Sequence, residues 1–175
     1  MSLPLSAAFE FCPRCGVKVA TPGRNPLVCT ACDYRHFFGP VGAVAGVLET
    51  GRQSREVLLL RRGHDPGRGL FGLPGGFVDT GESAEQALSR EVLEETNLVV
   101  TSTEFLASAP NEYDYRGVVI PVLDLFFVVR VESLAPLKAQ PGEIEGFVLE
   151  QADNVSLDEF AFESHRIALR RYLSR

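Results

Sequence analysis

One stretch of the sequence decides the fold class: GFVDTGESAEQALSREVLEETNL, from Gly76 to Leu98. Its second half carries the signals of a single helix. Ser83 is a good N-cap, and Gln86 three residues later completes a capping box. Asn97 tolerates the left-handed backbone conformation that ends many helices. The pattern therefore predicts a helix over residues 84–96.

Three acidic side chains share one face of this predicted helix. Glu91, Glu94 and Glu95 have the spacing i, i+3 and i+4, and like charges at that spacing destabilise a bare helix. They also lie near its C-terminus, where the helix dipole disfavours negative charge. One interpretation is a solvated acidic face that Arg90 and Arg62 partly neutralise. The other is a site for a hard cation such as magnesium, which prefers carboxylate oxygens beside the phosphates of a substrate.

The register of the surrounding residues resembles the Nudix box. In that motif a glycine is followed six positions later by a glutamate, and then by an Arg-Glu-aliphatic-x-Glu-Glu-x-Gly-aliphatic run. Gly76, Glu82 and the run from Arg90 match, and the last glycine is replaced by Asn97. Both residues can end a helix, so the departure is mild. Residues 70–76 also look like the loop that precedes the box in this family.

The resemblance implies a metal-assisted hydrolysis with Mg²⁺ or Mn²⁺ as the cofactor. Glu91 and Glu95 are implied as the principal metal ligands, Glu94 and the carbonyl of Gly76 as further ligands, and Glu82 as a contributor through a water or a second metal. Glu94 and Glu95 are thereby catalytic candidates. Arg90 joins them as the group that orients the neighbouring carboxylates through charge-assisted hydrogen bonds.

A general base is also required by this chemistry. In the family it is a glutamate of the box or of a later loop, and residues 140–147 supply Glu143 and Glu145. We favour Glu143 over Glu145. Both remain interpretable as surface charges of a loop.

Substrate contacts are expected from two further segments. Arg61 and Arg62 end a predicted strand beside the glycine-rich loop and are candidates for phosphate binding. In the segment after the box, Tyr113 or Tyr115 could stack on a base or ribose and Arg116 could face phosphate, and the two tyrosines lie near the position that marks dinucleoside-polyphosphate hydrolases in the Nudix family. Ordinary tyrosines of an edge strand explain the same pattern equally well.

The cysteines form two CxxC pairs, Cys12/Cys15 and Cys29/Cys32, with 13 residues between them. Each pair can supply two thiolates to a tetrahedral zinc ion, so the spacing predicts a zinc ribbon. A redox pair is the alternative, but no thioredoxin-like βαβ pattern surrounds it. Four thiolates would leave zinc no open position, which indicates a structural ion. We expect a zinc ribbon over residues 1–38 and a Nudix domain over 39–175.

The rest of the chain alternates between strand and helix patterns. Such an arrangement predicts an α/β (α+β) fold, and the resemblance implies an αβα sandwich with a mixed sheet. The predicted strands are 41–48, 57–60, 118–131 and 147–149, the second helix is 157–173, and the predicted loops are 63–76 and 136–142.

Composition restricts the partners. The 175-residue chain has a formal net charge of −6, which disfavours non-specific nucleic-acid binding but is compatible with a small nucleotide substrate. No apolar run approaches the roughly 18 residues that span a membrane, and no signal peptide is evident. We therefore expect a cytoplasmic protein, and the resemblance is consistent with a homodimer.

The expected function is a magnesium-dependent pyrophosphohydrolase that cleaves a nucleoside diphosphate linked to another moiety. ADP-ribose, NADH, FAD and dinucleoside polyphosphates are the candidate substrates. The layout is similar to the NADH pyrophosphatase group, but that group's Ser-Gln-Pro-Trp-Pro-Phe-Pro signature is absent and the chain has no tryptophan. The alternatives are a non-catalytic ADP-ribose sensor and an enzyme that processes nucleotide-capped RNA.

Overall fold

The secondary structure follows the apolar periodicity of the chain. A computed structural model of the protein describes residues 2–50 and 55–175. Its strands are β1 (Leu3–Pro4), β2 (Leu27–Val28), β3 (Arg35–His36), β4 (Val41–Glu49), β5 (Glu56–Arg62), β6 (Phe71–Gly72), β7 (Gly75–Phe77), β8 (Val100–Tyr115), β9 (Val118–Val131) and β10 (Ile144–Gln151). Its α-helices are α1 (Leu5–Ala8), α2 (Ala84–Thr96) and α3 (Glu163–Leu173), and short 3-10 turns cover Ala152–Asn154 and Leu157–Glu159.

Contacts divide the chain into two compact units. The first comprises Met1–Val41 and Glu112–Val122, and the second comprises Gly42–Asn111 and Leu123–Arg175. The boundary that we expect from the sequence, between residues 38 and 39, lies near the end of the first segment. The segment around the β8–β9 turn also belongs to the first unit, because β1 pairs in parallel with the start of β9.

The central sheet is mixed. Its strand order is β1-β9-β4-β5-β10, with β8 paired to β9, β7 to β4 and β6 to β5. The pairs β4–β5, β5–β10, β4–β7 and β5–β6 are antiparallel, whereas β1–β9 is parallel. The short strands β6 and β7 therefore bring the glycine-rich segment before α2 onto the sheet.

Helices cover both faces of the sheet in the second unit. Successive strand residues point to opposite faces. One face packs against the buried side of α2 and contains Val44, Leu48, Leu58, Phe127 and Val129. The other packs against α3 and contains Ala45, Val47, Leu59, Phe126 and Val128. This arrangement confirms the sandwich and the mixed sheet expected from the sequence.

The first unit has a small core of its own. Val19, Leu27 and Phe38 are buried there, and Leu5 and Phe9 pack against them. The hairpin of β2 and β3 pairs Leu27 with His36. Within residues 2–50 and 55–175, no helix has the length and apolar character needed to cross a membrane.

Three predicted boundaries are wrong, and each error has a physical reason. Residues 63–76 are not a continuous loop, because β6 and β7 form there through pairing with distant strands. The last helix begins at Glu163 rather than near residue 157, where a 3-10 turn places Phe160 in the core. The strand predicted over 147–149 is the centre of the longer β10. In addition, β8 was not predicted, because it is largely polar.

His165 lies in the core between α3 and the sheet. Its ring packs edge-on against Phe126 and Phe160, and its Nδ1 accepts a hydrogen bond from the Leu73 N–H at 3.1 Å. Burial lowers the pKa of His165 to about 3, and the positive charge of Arg62 acts in the same direction. This histidine is therefore neutral in the folded protein at neutral pH.

We predict that His165 makes the protein sensitive to acid. Below pH 6.5 the unfolded chain binds a proton at this residue and the folded chain does not, so stability falls as the pH drops toward about 3. The slope is at most about 1.4 kcal/mol per pH unit. His165→Gln, whose amide oxygen can still accept from Leu73, should flatten this part of the profile. Urea unfolding between pH 7 and pH 5 tests this, and equal slopes for both proteins would contradict it.

Candidate active site

The glutamate helix α2 has the limits expected from its capping residues. The Ser83 hydroxyl accepts from the backbone N–H of Gln86, and the Gln86 side chain accepts from the Ser83 N–H. At the other end Asn97 adopts the left-handed conformation, with φ 59° and ψ 23°. Val92 lies on the buried face of the helix. The face that carries the glutamates is thereby held beside β7.

The backbone of β7 contacts two of the carboxylates. The Gly75 N–H donates to Glu95 Oε2 at 2.8 Å. At Gly76 the Glu91 carboxylate lies so close to the backbone that a Cβ would sit 2.5 Å from its Cδ atom. Only glycine permits this approach. The structure therefore brings Gly76, Glu91 and Glu95 together, as the sequence predicts for metal ligands.

Arg90 links the remaining acidic residues to this cluster. Its Nε and Nη2 donate to the two carboxylate oxygens of Glu82 at 2.8 and 2.9 Å. Its Nη1 donates to Glu91 at 2.8 Å and, more weakly, to Glu94 at 3.4 Å. Nη2 also donates to the carbonyl oxygen of Phe77 at 3.0 Å. Arg90 thus fixes the orientation of Glu91, while Glu82 is engaged with Arg90 and Glu94 is exposed.

The electrostatics of the cluster favour a cation. Burial, together with the charges of Glu91 and Glu143, raises the pKa of Glu95 to about 8 against the opposing Gly75 hydrogen bond. Burial also raises the pKa of Glu91, against the effect of Arg90. Neutralising such a group of oxygen donors is what a hard divalent cation does. The donor set therefore fits Mg²⁺ or Mn²⁺.

Glu143 and Glu145 have different surroundings. The negative charge of Glu143 raises the pKa of both Glu91 and Glu95, so Glu143 acts electrostatically on the cluster. Its carbonyl accepts from the Gly63 N–H at 2.7 Å, where a Cβ on Gly63 would clash. Glu145 instead forms an ion pair with Arg68 at 2.9 Å. Only Glu143 of the two is associated with the acidic cluster.

Arg61 and Arg62, at the end of β5, donate hydrogen bonds to the glycine-rich segment that follows. Arg61 donates to the Gly69 carbonyl at 2.7 Å and lies over the Phe71 ring. Arg62 donates to the Pro66 carbonyl at 2.9 Å. Its positive charge also lowers the pKa of Glu95, which places Arg62 near the cluster.

The other predicted substrate residues belong to the first unit. Tyr113 and Tyr115 lie at the end of β8, and Arg116 has a φ of 53° in the turn that follows. The guanidinium carbon of Arg116 lies 5.5 Å from the centroid of the Tyr115 ring.

The cysteines of the first unit converge. The Sγ atoms of Cys12, Cys15, Cys29 and Cys32 all lie within 4.8 Å of one another. The distance is 3.8 Å between Cys12 and Cys32 and 3.6 Å between Cys15 and Cys29. A tetrahedral zinc site with Zn–S bonds of about 2.3 Å separates its sulfurs by about 3.8 Å, whereas a disulfide bond is about 2.05 Å long. These thiols therefore fit zinc.

The second CxxC knuckle repeats the backbone geometry of the first, although no glycine follows its cysteine pair. Gly16 has a φ of 73° after the first pair, and its N–H donates to the Cys12 carbonyl. Asp33 has a φ of 56° at the equivalent position, and its N–H donates to the Cys29 carbonyl. Aspartate tolerates the left-handed conformation, but a glycine in the sequence predicts that conformation more strongly.

Gly75 also contributes to the site, although the sequence analysis predicts no role for this residue. Its φ is 153°, and a Cβ there would lie 2.0 Å from the Val44 carbonyl oxygen. In the sequence, only the pairing of two glycines at residues 75 and 76 indicates this role, because the contacts that require Gly75 come from the distant elements β4 and α2.

Comparison with known proteins agrees with this geometry. The family model of the NUDIX domain matches residues 40–174. An ADP-ribose pyrophosphatase of Methanocaldococcus jannaschii is 37% identical over 136 residues, which are 77% of this chain and 74% of that protein. The NAD-capped RNA hydrolase NudC of Haemophilus influenzae is 34% identical over 104 residues, 58% of this chain and only 38% of that protein.

Solved structures show the same fold. A NUDIX hydrolase from Nitrosomonas europaea superposes with a TM-score of 0.73 at 26% identity, covering 94% of this chain and 90% of its own. The NUDIX domain of Shewanella oneidensis NrtR, complexed with ADP ribose, gives a TM-score of 0.64 at 28% identity over 79% of this chain and 90% of its own. The chain belongs to the Nudix family. It is a Nudix hydrolase.

We predict that Gly76→Ala weakens binding of the activating metal. The new methyl group must displace the Glu91 carboxylate, since it would lie 2.5 Å from that group. The concentration of Mg²⁺ that gives half-maximal activity should rise about tenfold or more. Gly146→Ala is the matched control, because a Cβ there meets no atom within 4 Å. An unchanged magnesium requirement in Gly76→Ala would show that this contact does not shape the site.

Proposed function

We propose that the chain is a pyrophosphohydrolase of nucleoside diphosphate derivatives, dependent on Mg²⁺ or Mn²⁺, with ADP-ribose as its first candidate substrate. The observation that carries the reaction class is the placement of Glu91 against the Gly76 backbone and of Glu95 on the Gly75 N–H, with the charge of Glu143 acting on both carboxylates. The relative named ADP-ribose pyrophosphatase, which matches over most of both chains, supports the choice of substrate.

The metal would be held by Glu91, Glu95 and the carbonyl of Gly76, with Glu94 and Glu82 as more distant contributors. When bound, such an ion neutralises phosphate oxygens and lowers the pKa of a water molecule. The chain itself supplies a fixed frame of carboxylates. Arg90 maintains this frame, because a single guanidinium holds Glu82 and Glu91 in defined positions.

Glu143 is proposed as the general base. It is close enough to Glu91 and Glu95 to raise the pKa of both, and its backbone is tied to Gly63. A carboxylate near bound metal and an attacking water is placed to accept the proton. Glu145 is occupied by Arg68 and is left as a surface ion pair.

The proposed substrate contacts come from the end of β5 and from the β8–β9 turn. Arg62 is the strongest candidate for phosphate binding, because its charge acts on Glu95. Arg61 is proposed to support the same loop. Tyr113, Tyr115 and Arg116 are retained as candidates for contacts with the nucleoside.

The similar proteins suggest two other functions, which the site and the charge of the chain disfavour. A non-catalytic sensor of ADP-ribose is suggested by the NrtR neighbour, but a pure binding protein has no need for this carboxylate frame. Hydrolysis of NAD-capped RNA is suggested by NudC, of which the chain matches only 38%. The net charge of −6 also disfavours long contacts with RNA.

We further propose a structural zinc ion on the four cysteines and a cytoplasmic location. The cysteines are free thiols at zinc-site spacing, and such thiols persist in reducing compartments. The ribbon is proposed as residues 1–38 and the Nudix domain as 39–175. A homodimer is proposed from the family resemblance alone.

The test of the function is hydrolysis of a substrate panel with Mg²⁺. We expect ADP-ribose to be cleaved to AMP and ribose 5-phosphate faster than NADH, FAD or diadenosine tetraphosphate. Glu95→Gln should lower turnover about a hundredfold or more, because one of the charges that holds the metal is lost. Glu85→Gln, on the same helix but outside the cluster, is the control. Tight ADP-ribose binding without hydrolysis of any member would favour the sensor.

The proposed base is tested by a pair of variants. Glu143→Gln should lower kcat by about 10²- to 10⁴-fold with little change in the magnesium requirement. Glu145→Gln should change kcat by no more than about twofold, since it loses only a surface ion pair. Near-normal turnover in Glu143→Gln would exclude this residue as the base.

The zinc proposal is tested by metal analysis and thermal unfolding. We expect one zinc per chain in protein produced with zinc, and its loss in Cys29→Ser together with a decrease of several degrees in the thermal midpoint. Asp33→Gly should retain zinc, since glycine adopts the same backbone conformation. Zinc retained at full occupancy in Cys29→Ser would contradict a four-cysteine site.

A further inference from the structure

Asn97, which stands in place of the last glycine of the box, makes a bond that glycine cannot make. Its backbone takes the left-handed conformation, and its N–H donates to the Leu93 carbonyl at 2.8 Å. Glycine would satisfy both conditions. The side-chain Nδ2 of Asn97 also donates to the Pro136 carbonyl at 2.9 Å. The substitution therefore adds a tether between the end of α2 and the chain at residue 136.

Two backbone hydrogen bonds continue this tether along the loop. The Lys138 N–H donates to the Thr96 carbonyl at 2.9 Å, and the Gln140 N–H donates to the Glu95 carbonyl at 3.3 Å. The last carbonyls of a helix have no partners within the helix. Here they bind the segment that follows Pro136.

This segment leads directly to Glu143. The Gln140 carbonyl accepts from the Glu143 N–H at 3.3 Å, and the N–H of Gly63, the residue after β5, donates to the Glu143 carbonyl. The loop is thus fixed at one end by the sheet and at the other by the last turn of α2. The same turn carries Glu95, so its position and that of Glu143 are coupled through a few hydrogen bonds.

We propose that Asn97 is a positioning residue, which sets the Glu143 carboxylate against Glu91 and Glu95 by tying Pro136 to the end of α2. The inference rests on the proposed function, because it assumes that Glu143 serves as the base. Asn97 acts through the loop and does not touch the reacting atoms. Leu137 also holds the loop, because it packs against the apolar residues between α2 and the sheet. Loss of the Asn97 side-chain amide should therefore displace the loop without detaching it.

The variant Asn97→Gly isolates the amide. Glycine keeps the left-handed turn, so the helix end is unstrained and only the bond to Pro136 is lost. We expect kcat to fall about tenfold, with the magnesium requirement and KM unchanged, because a small displacement of a catalytic group is costly. Asn97→Asp keeps the turn but cannot donate to Pro136, and it should reproduce the loss. Lys138→Ala, which removes an exposed side chain and leaves its backbone bond, is the matched control.

A double-mutant cycle separates positioning of Glu143 from a general structural effect. In the Glu143→Gln background, Asn97→Gly should lower kcat no further, because the group that it positions is already gone. An equal loss in both backgrounds would overturn the proposal. So would unchanged kcat in Asn97→Gly, or a raised magnesium requirement.

Hydrogen exchange distinguishes failure of the Asn97 proposal from failure of the proposed function. In Asn97→Gly the amides of Lys138, Gln140 and Glu143 should exchange several times faster than in the original chain. This readout needs no activity. If Glu143→Gln has normal turnover, the assignment of the base fails, and faster exchange would still establish the tether. Unchanged exchange at all three amides would overturn the tether itself.

Discussion

The close approach of a glycine pair to two partly buried carboxylates is the constraint on which the site depends. Gly75 donates its N–H to Glu95, and Gly76 allows the Glu91 carboxylate to lie against the backbone. A side chain at either glycine would collide with β4 or with Glu91. The strand β7, the helix α2 and the acidic cluster are therefore consequences of one local packing arrangement.

That arrangement is electrostatically unfavourable without a partner, and the surrounding residues show how it is tolerated. Arg90 neutralises Glu82 and Glu91 through three short hydrogen bonds. Among the residues that the structure describes, Gly75 alone donates a hydrogen bond to Glu95, and burial is the main cause that raises the pKa of Glu95 to about 8. Functional sites commonly retain such unfavourable interactions, while the rest of the domain supplies the stability. In this chain the apolar layers on both faces of the sheet supply that stability.

The sequence predicted best those features that depend on neighbouring residues. The limits of α2 follow from the capping box at Ser83 and the left-handed Asn97, and both limits are confirmed. The strand β7 could not be predicted in the same way, because its pairing partner lies 30 residues earlier in β4. Glu143 and Glu145 lie in the same short segment of the sequence, and distant residues distinguish their surroundings. Glu145 pairs with Arg68, whereas the charge of Glu143 acts on Glu91 and Glu95. The position of Tyr113 in the chain, shortly after the box, also does not predict that Tyr113 belongs to the first unit.

The raised pKa of Glu95 means that protons and cations compete for the same oxygen atoms. At neutral pH the carboxyl group is largely protonated in the metal-free protein, since its pKa is about 8. A cation bound by this carboxylate must release that proton to solution. The apparent affinity for the cation therefore weakens as the pH falls. Acidity of the medium thus controls metal occupancy before it affects any step of the reaction.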